Sequence, residues 1–547
     1  MSRRAAREAE KAKSARRRGA AKSAADTAGV DAGSTEAAAA GPEVAAAGPA
    51  DAATSEIVET DAADGAGELS AKSGGLAAML RKHPVAWSVT AGVVAFMLLG
   101  TGAVFAGVAW ASDDGEAPVA APTESAAPPR PVTDQEIAAS RLRTCSVAGP
   151  ASDGRLMSLE AYVVRADTGD VLFDRSGATP ARTASVLKVF TAAAAISRLG
   201  PDFQLVTSVY EGSSPGTIVL VGRGDATLSA LPAGQESYYP GAPKLQTLAE
   251  ATVAQYAERY PDTPITHVVL DAGYWSSADK WDESWSRSEQ SNGYQSEVTA
   301  LQVDGDRADP RAATSPRSSD PVARAGQAFL DALQAADPDG EVVDEAIATS
   351  LGSAVGTTTL AEVKSQPVRT LIKQMLLDSD NTLAEMLARV VSKQSGMGGT
   401  SSSLQQAIPS ALIDFGVSAT GLTIRDGSGL SALNAVPATT MTEFMRAVRD
   451  GANGLDVVRD GMPVAGQSGT LASRFSGDNA DARGQVWAKT GWISTAYTLS
   501  GYLTAADGTP LAFTFYAIGE GITRDARAAL DTLTTAVYRC GDNLSNN

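Results

Sequence analysis

One stretch decides the fold assigned to this chain: TASVLKVFT, residues 183–191. It predicts the start of a helix that continues through the following alanine run. Residues three positions apart lie on one helix face, so the side chains of Ser185 and Lys188 can touch. A buried neutral lysine can take the proton of a serine hydroxyl, and a helix N-terminus favours a developing negative charge. The pair is therefore a candidate nucleophile and general base.

The Ser-x-x-Lys pattern is a weak signal by itself, because Ser277 and Lys280 repeat it. Taken alone, Ser185 is better explained as a small residue near a helix start. Two later stretches change this interpretation.

The first stretch is Ser379-Asp380-Asn381, which directly precedes a predicted helix. Its hydroxyl and amide can enter one site. The second stretch is Lys489-Thr490-Gly491 in a run typical of a strand. A cation and a hydroxyl suit a carboxylate, and the glycine lets a substrate backbone lie close along the strand.

The three motifs, in this order, form the set found in class A β-lactamases and penicillin-binding proteins. Ser185 and Ser379 are 194 residues apart, a longer separation than in the compact β-lactamases. With the flanking runs, the chain resembles the D-alanyl-D-alanine carboxypeptidases of the penicillin-binding protein 4 type, peptidase family S13. The resemblance covers roughly residues 134–540, and the matching flanks are residues 222–228, 294–301, 426–431 and 461–471.

The resemblance implies an α+β fold: a serine β-lactamase/transpeptidase-like domain, in which helices flank an antiparallel sheet. We expect its first part at residues 134–204 and its second part at residues 351–547. A large β-rich domain is expected to be inserted at residues 205–350. All three motifs would then meet in one cleft.

The resemblance also implies a role for each motif residue. Ser185 attacks the carbonyl of the penultimate D-Ala of a peptidoglycan stem peptide, with Lys188 as general base. Ser379 relays the proton towards the leaving amine, and water hydrolyses the acyl-enzyme. The residues expected to bind substrate are Asn381, Lys489, Thr490, Gly491 and Trp492. Members of this family can also cut D-Ala-to-diamino-acid crosslinks, and β-lactams are expected to inhibit.

The sequence departs from the family at Trp492, where a hydroxyl residue usually follows Lys-Thr-Gly. The backbone N–H there can still complete an oxyanion hole, since this contact does not depend on the side chain. The added bulk bears on substrate preference and rate.

In this fold the first and last helices pack side by side, which implies a disulfide between Cys145 and Cys540. Both cysteines follow predicted terminal helices, and they are the only two in the chain. Both would lie outside the membrane, where thiols oxidise.

Composition excludes several other functions. The net charge of −18 argues against nucleic acid as a partner. The two histidines are His83, beside an apolar segment, and His267. A Ser-His-Asp mechanism would rest on His267 alone, and a histidine zinc site lacks ligands, so we expect neither metal nor cofactor.

The N-terminal part predicts a membrane anchor. Residues 1–84 contain few large apolar side chains and are expected to form a disordered cytoplasmic tail. Residues 85–111 contain no charge and, at about 1.5 Å per residue, can span a bilayer as one uncleaved helix. Arg81 and Lys82 precede this segment and acids follow it, so the catalytic body is expected outside the cell membrane. Residues 112–133 are a Pro/Ala-rich linker.

Two other functions stay open at this point. One is a wall-binding or divisome scaffold that keeps the pocket with little turnover, which the complete motif set argues against. The other is a β-lactamase, which the large insertion argues against.

Overall fold

The computed structural model describes residues 142–353, 356 and 358–546. The predicted cytoplasmic tail, membrane segment and linker at residues 1–133 lie outside the described residues. Among the described residues, none of the helices combines the length and the apolar character needed to cross a bilayer.

Fourteen strands and eleven α-helices are assigned within the described residues. The strands are β1 (Cys145–Ser146), β2 (Ser158–Arg165), β3 (Val171–Arg175), β4 (Pro180–Ala181), β5 (Val206–Glu211), β6 (Thr217–Val221), β7 (Ile265–Asp271), β8 (Val343–Leu351), β9 (Thr359–Lys364), β10 (Val436–Pro437), β11 (Val486–Ile493), β12 (Ala496–Thr504), β13 (Pro510–Ile518) and β14 (Leu544–Ser545). The α-helices are α1 (Ala148–Ala151), α2 (Lys188–Leu199), α3 (Leu245–Arg259), α4 (Ser288–Ser291), α5 (Pro321–Ala336), α6 (Val368–Asp378), α7 (Asn381–Gln394), α8 (Ser401–Leu412), α9 (Ala438–Asp450), α10 (Asp456–Asp460) and α11 (Ala526–Cys540).

The catalytic motifs are organised by a five-stranded antiparallel sheet in the order β11-β12-β13-β2-β3. Nearly every residue of β12 and β13 is buried. These strands are apolar on both faces because helices cover both faces: α9 packs on one side and α11 on the other.

Helix α2 lies at the centre of the helical layer, against α6, α7 and α8. Its run Ala192, Ala193, Ala194 and Ala195 is completely buried. Small side chains let neighbouring helices approach closely, so the alanine run allows other helices to pack tightly around α2. The start of α2, which carries Lys188, is thereby held rigidly.

The inserted region forms a second five-stranded sheet in the order β8-β7-β6-β5-β9. Pairs β6/β7 and β7/β8 are parallel, whereas β5 pairs antiparallel with β6 and β9. Parallel neighbours need a crossover, and helices α3 and α5 supply the two crossovers here. The last strand ends at Lys364, so this sheet extends beyond residue 350.

Cys145 and Cys540 are joined by a disulfide, with their Cα atoms 5.5 Å apart. Cys540 ends helix α11, as predicted. Cys145 instead lies in β1, which pairs in parallel with β14 near the chain end, and residues 142–144 are not helical. The strand pairing and the disulfide together fasten the two ends of the body.

Candidate active site

Ser185 lies in a 3₁₀ turn, Ala184–Leu187, that runs directly into α2. Lys188 is the first residue of α2, and its Nζ donates a hydrogen bond to Ser185 Oγ at 2.9 Å. The contact predicted for one α-helix is thus made by a tighter turn, in which residues three apart eclipse. Ala184 has a left-handed φ of +44°, a strain of about 1–3 kcal/mol that such sites often hold.

Three acceptors fix the Lys188 ammonium, whose side chain is entirely buried. Besides Ser185 Oγ, its Nζ donates to Asn381 Oδ1 and to the backbone carbonyl of Ser428, both at 2.7 Å. An ammonium has three donors, so each proton has an acceptor. The lysine is therefore held towards the serine.

The second motif forms the turn between α6 and α7. Ser379 follows α6 in a left-handed conformation, with φ +60°. Asp380 caps α7 by accepting a hydrogen bond from the Leu383 N–H at 2.9 Å. Asn381 is the first residue of α7, so both polar side chains of the motif reach the cleft.

Side chains of the inserted region support this turn. Arg307 forms a buried ion pair with Asp380 at 2.8 Å, and the Tyr239 hydroxyl donates to the same carboxylate at 2.9 Å. Arg307 also donates to the Tyr239 oxygen at 2.7 Å. We call these three residues the Asp380 brace. Burial would raise the pKa of Asp380, but Arg307 and then Arg317 outweigh it and lower the pKa to about 2.

The third motif lies on β11, at the edge of the five-stranded antiparallel sheet. The buried Lys489 Nζ donates to Ser379 Oγ and to the Thr490 carbonyl, both at 2.9 Å. Thr490 Oγ1 donates to Thr470 Oγ1 at 2.9 Å. Side chains alternate along a strand, so Thr490 and Trp492 share one face and both line the cleft.

Gly491 lies where strand and nucleophile meet. A Cβ there would come 2.9 Å from the Ser185 nitrogen and would collide with Thr498 Oγ1. Only glycine therefore lets β11 pass so close to the nucleophile. The same approach brings the backbone of Gly491 beside the Ser185 nitrogen.

The motifs line one cleft of about 690 Å³. Trp492 is 52% exposed at its wall, and its ring centroid lies 6.3 Å from that of Tyr497. The lining residues are Ser185, Ser284, Ser286, Ser288, Glu289, Tyr294, Asp378, Ser379, Asn381, Leu430, Ala432, Thr470, Arg474, Thr490, Gly491, Trp492, Ile493, Ser494, Tyr497 and Arg527. Lys188 and Lys489 lie buried beneath this surface.

Burial lowers the pKa of both lysines. At Lys188 it lowers the pKa to about 8, because the carboxylates of Asp426, Glu385 and Asp380 partly oppose it. At Lys489 burial, aided by the charge of Lys188, lowers the pKa well below the usual range. A base whose pKa is near neutrality can accept the proton of Ser185 at working pH.

Sequence reasoning missed the groups behind Lys188. Asp426 and Ser428 belong to a run noted only as a family flank, and Glu385 was not identified. One signal was present: Glu385 is a lone acid within the apolar run of α7, and a fully buried carboxylate needs a special reason. The brace residues Arg307 and Tyr239 gave no comparable signal.

The decoy Ser277-x-x-Lys280 lies elsewhere. Ser277 is exposed, and Lys280 forms an ion pair with Glu297 at 2.6 Å. In the described part of the chain, no group of three or more His, Cys, Asp or Glu side chains could hold a metal ion.

Ser185 is hydrogen-bonded to the buried Lys188, and a second pair, Ser379 and Lys489, lies beside it. This arrangement defines a serine acyl-transfer site of the Ser–Lys type. The chain belongs to the D-Ala-D-Ala carboxypeptidase 3 (S13) family, whose model matches residues 144–321 and 307–537. The predicted family and serine carboxypeptidase class are confirmed.

Two relatives are similar over most of their length. Carboxypeptidase DacB of Mycolicibacterium smegmatis is 32% identical over 383 residues, which is 69% of this chain and 80% of the relative. A carboxypeptidase of Mycobacterium tuberculosis is 33% identical over 403 residues, or 73% and 84% of the two chains.

Among solved structures, penicillin-binding protein 4 of Haemophilus influenzae matches with a TM-score of 0.56 and 20% identity. The match covers 70% of this chain and 95% of that one. It confirms the predicted α+β fold class.

Proposed function

We propose that the motif residues carry out D-Ala-D-Ala carboxypeptidase chemistry in the roles that the sequence predicted. The observation that carries this proposal is the 2.9 Å hydrogen bond between Ser185 Oγ and the fully buried Lys188 Nζ. As Ser185 Oγ bonds to the penultimate D-Ala carbonyl carbon, its proton passes to Lys188. The backbone N–H groups of residues 185 and 492 then face the developing oxyanion.

The leaving group departs on the Lys489 side of the cleft. Ser379 Oγ accepts a hydrogen bond from Lys489. We assign it the relay that carries the proton taken up by Lys188 to the leaving amine as the C–N bond breaks. Lys489 and Thr490 hold the terminal carboxylate, and Asn381 receives the substrate amide. Water then hydrolyses the ester at Ser185 and releases the shortened stem peptide.

Two activities share this acyl-enzyme. A D-Ala-to-diamino-acid crosslink presents the same acyl half, so endopeptidase cleavage is the second activity to measure. β-Lactams should also acylate Ser185, since their amide imitates the acyl-D-Ala-D-Ala end. A solved complex of the Haemophilus influenzae protein with a β-lactam supports this.

The test uses the full-length chain with a stem pentapeptide and labelled penicillin. We expect release of terminal D-Ala, and a lasting label on the peptide that carries Ser185. Ser185→Ala should abolish both. Labelling without hydrolysis would favour the scaffold, and rapid penicillin turnover would favour a β-lactamase. A penicillin label on Ser185→Ala would overturn the nucleophile assignment.

We also propose that residues 85–111 anchor the protein as a single-pass helix, with the body outside. The support is the absence of charge in this segment and the basic residues before it. Protease added to wall-less cells should remove the body and spare an N-terminal tag. Protection of the body would contradict this topology.

A further inference from the structure

Glu385 is a completely buried carboxylate that the proposed reaction does not use. It lies on α7 one turn after Asn381, so both residues occupy the same helix face. Asn381 accepts a hydrogen bond from Lys188 on that face. Glu385 is thus placed directly behind the groups that contact the catalytic base.

A short turn connects Glu385 to Lys188. Glu385 Oε1 accepts from the backbone N–H groups of Ser428, at 2.7 Å, and Gly427, at 3.0 Å. The Ser428 carbonyl in turn accepts from Lys188 Nζ at 2.7 Å. Thr191, one turn along α2 from Lys188, donates to the Gly427 carbonyl at 2.5 Å.

The other side of this turn is fixed by Asp426. Its carboxylate accepts four hydrogen bonds, among them the Gly429 N–H at 2.8 Å and the Ser431 N–H at 2.6 Å. Gly429 has a φ of +80°, and a Cβ there would collide with the Ala184 carbonyl. These contacts therefore fix the turn against Ala184, the residue that precedes Ser185.

Several charged groups act on Glu385. The Asp426 carboxylate repels its negative charge, whereas Arg389, one turn along α7, attracts it. Glu385 in turn acts on Lys188, as do the carboxylates of Asp426 and Asp380. Burial first, and then Asp426, raise the pKa of Glu385 to about 7.

We propose that Glu385 is a positioning residue for the base: it holds the Gly427–Ser428 turn against Lys188, and its charge sets the pH at which Lys188 can deprotonate Ser185. This rests on the proposed function of Lys188. Because the two groups interact, their protons are lost in steps that belong to the pair. A proton on Glu385 removes a negative charge near Lys188 and so favours the neutral lysine.

The consequence is a pH profile with a defined direction. In the wild type, acylation should fall as pH decreases below about 8, where Lys188 becomes protonated. Glu385→Gln removes the charge permanently, while the amide oxygen can still accept from the two N–H groups. The pKa of Lys188 should then decrease, and the acid limb should move to lower pH by about one unit.

The experiment measures the rate constant of penicillin acylation against pH for full-length wild type, Glu385→Gln, Glu385→Asp and Glu443→Gln. Glu385→Asp keeps the charge but has a side chain one methylene shorter. We therefore expect the acid limb of its pH profile at the wild-type pH, and a maximal acylation rate constant lower by about tenfold or more. Glu443→Gln alters a half-exposed acid on α9 that pairs with Arg446, and its profile should match the wild type.

The outcomes separate this inference from the proposed function. If wild type acylates at Ser185 but Glu385→Gln keeps the wild-type limb, the charge role is overturned and the proposed function stands. If Glu385→Gln does not fold, Glu385→Asp decides, because wild-type rates at every pH would overturn the positioning role. If wild type itself takes no penicillin at Ser185, both proposals fail.

Discussion

The two buried lysines of the cleft have opposite electrostatic surroundings. Lys188 faces the carboxylates of Asp426, Glu385 and Asp380, which partly offset its burial. Lys489 donates to two uncharged oxygens, Ser379 Oγ and the Thr490 carbonyl. Its pKa is lowered further by the neighbouring Lys188, with Asp378 opposing.

In the proposed mechanism, this difference lets one residue type serve two roles. Lys188 is balanced by the protein itself, which keeps its pKa near the pH where a base must act. Lys489 lacks this balance, so in the proposed mechanism it binds an anion from outside the chain. A substrate carboxylate beside Thr490 would supply that charge and would stabilise the ammonium on binding.

The largest expected effect comes from removing the balanced lysine. Lys188→Met should lower penicillin acylation by more than about a hundredfold, because a positioned base is lost. The stopped-flow rate constant measures this. Lys280→Met, at the decoy motif, is the matched control and should retain the wild-type rate. Comparable rates for the two variants would reject Lys188 as the base.

Removing Lys489 tests whether this lysine binds the terminal carboxylate of the substrate. Lys489→Met should reduce kcat/KM about 10- to 100-fold for a D-Ala-D-Ala peptide, the loss of one charge-assisted hydrogen bond. A peptide ending in an amide should lose a similar factor with the wild-type enzyme. With Lys489→Met, the difference between the two peptides should shrink to the part that Thr490 contributes, since the coupling to Lys489 is gone. Additive losses would show that Lys489 does not bind the carboxylate.

A smaller effect is expected from the Asp380 brace, which supports the turn carrying Ser379 beside Lys489 and Asn381 beside Lys188. Arg307→Met leaves the Asp380 charge buried without its partner, at a cost of about 3–5 kcal/mol. Thermal unfolding should show this as a lower melting temperature. We expect acylation to fall less than in Lys188→Met, about tenfold, because Ser379 and Asn381 lose their fixed turn. An unchanged melting temperature would contradict the brace.

No effect is expected from a substitution at Ser277, in the second Ser-x-x-Lys pattern. Ser277→Ala alters an exposed hydroxyl that does not line the cleft, so the label, hydrolysis and melting temperature should match the wild type. Any loss of penicillin labelling in this variant would show that the motif assignment is incomplete.

Local patterns in the sequence predicted much of this arrangement. The hairpins β2/β3 and β12/β13 follow from β-rich runs around turn residues, and helix α11 from its amphipathic pattern. The three motifs identified the side chains that meet in the cleft. Their convergence required the family resemblance, because no local pattern brings residues 194 positions apart together.

The supporting groups could not be predicted in the same way. Glu385 and Asp426 act through backbone N–H groups of a turn, and a sequence does not show which peptide a carboxylate will contact. Arg307 and Tyr239 come from the inserted region and reach Asp380 across the fold. Their role depends on tertiary packing alone.

The Asp380 brace also bears on how this enzyme could be shortened or recombined. The inserted region resembles an accessory module, since it has its own sheet and its own apolar core. Yet it lends an arginine and a tyrosine to the turn that carries Ser379 and Asn381. A minimal enzyme made by excising this region would therefore begin with a damaged active site. A chimera would need the donor and recipient regions to be exchanged together with that turn.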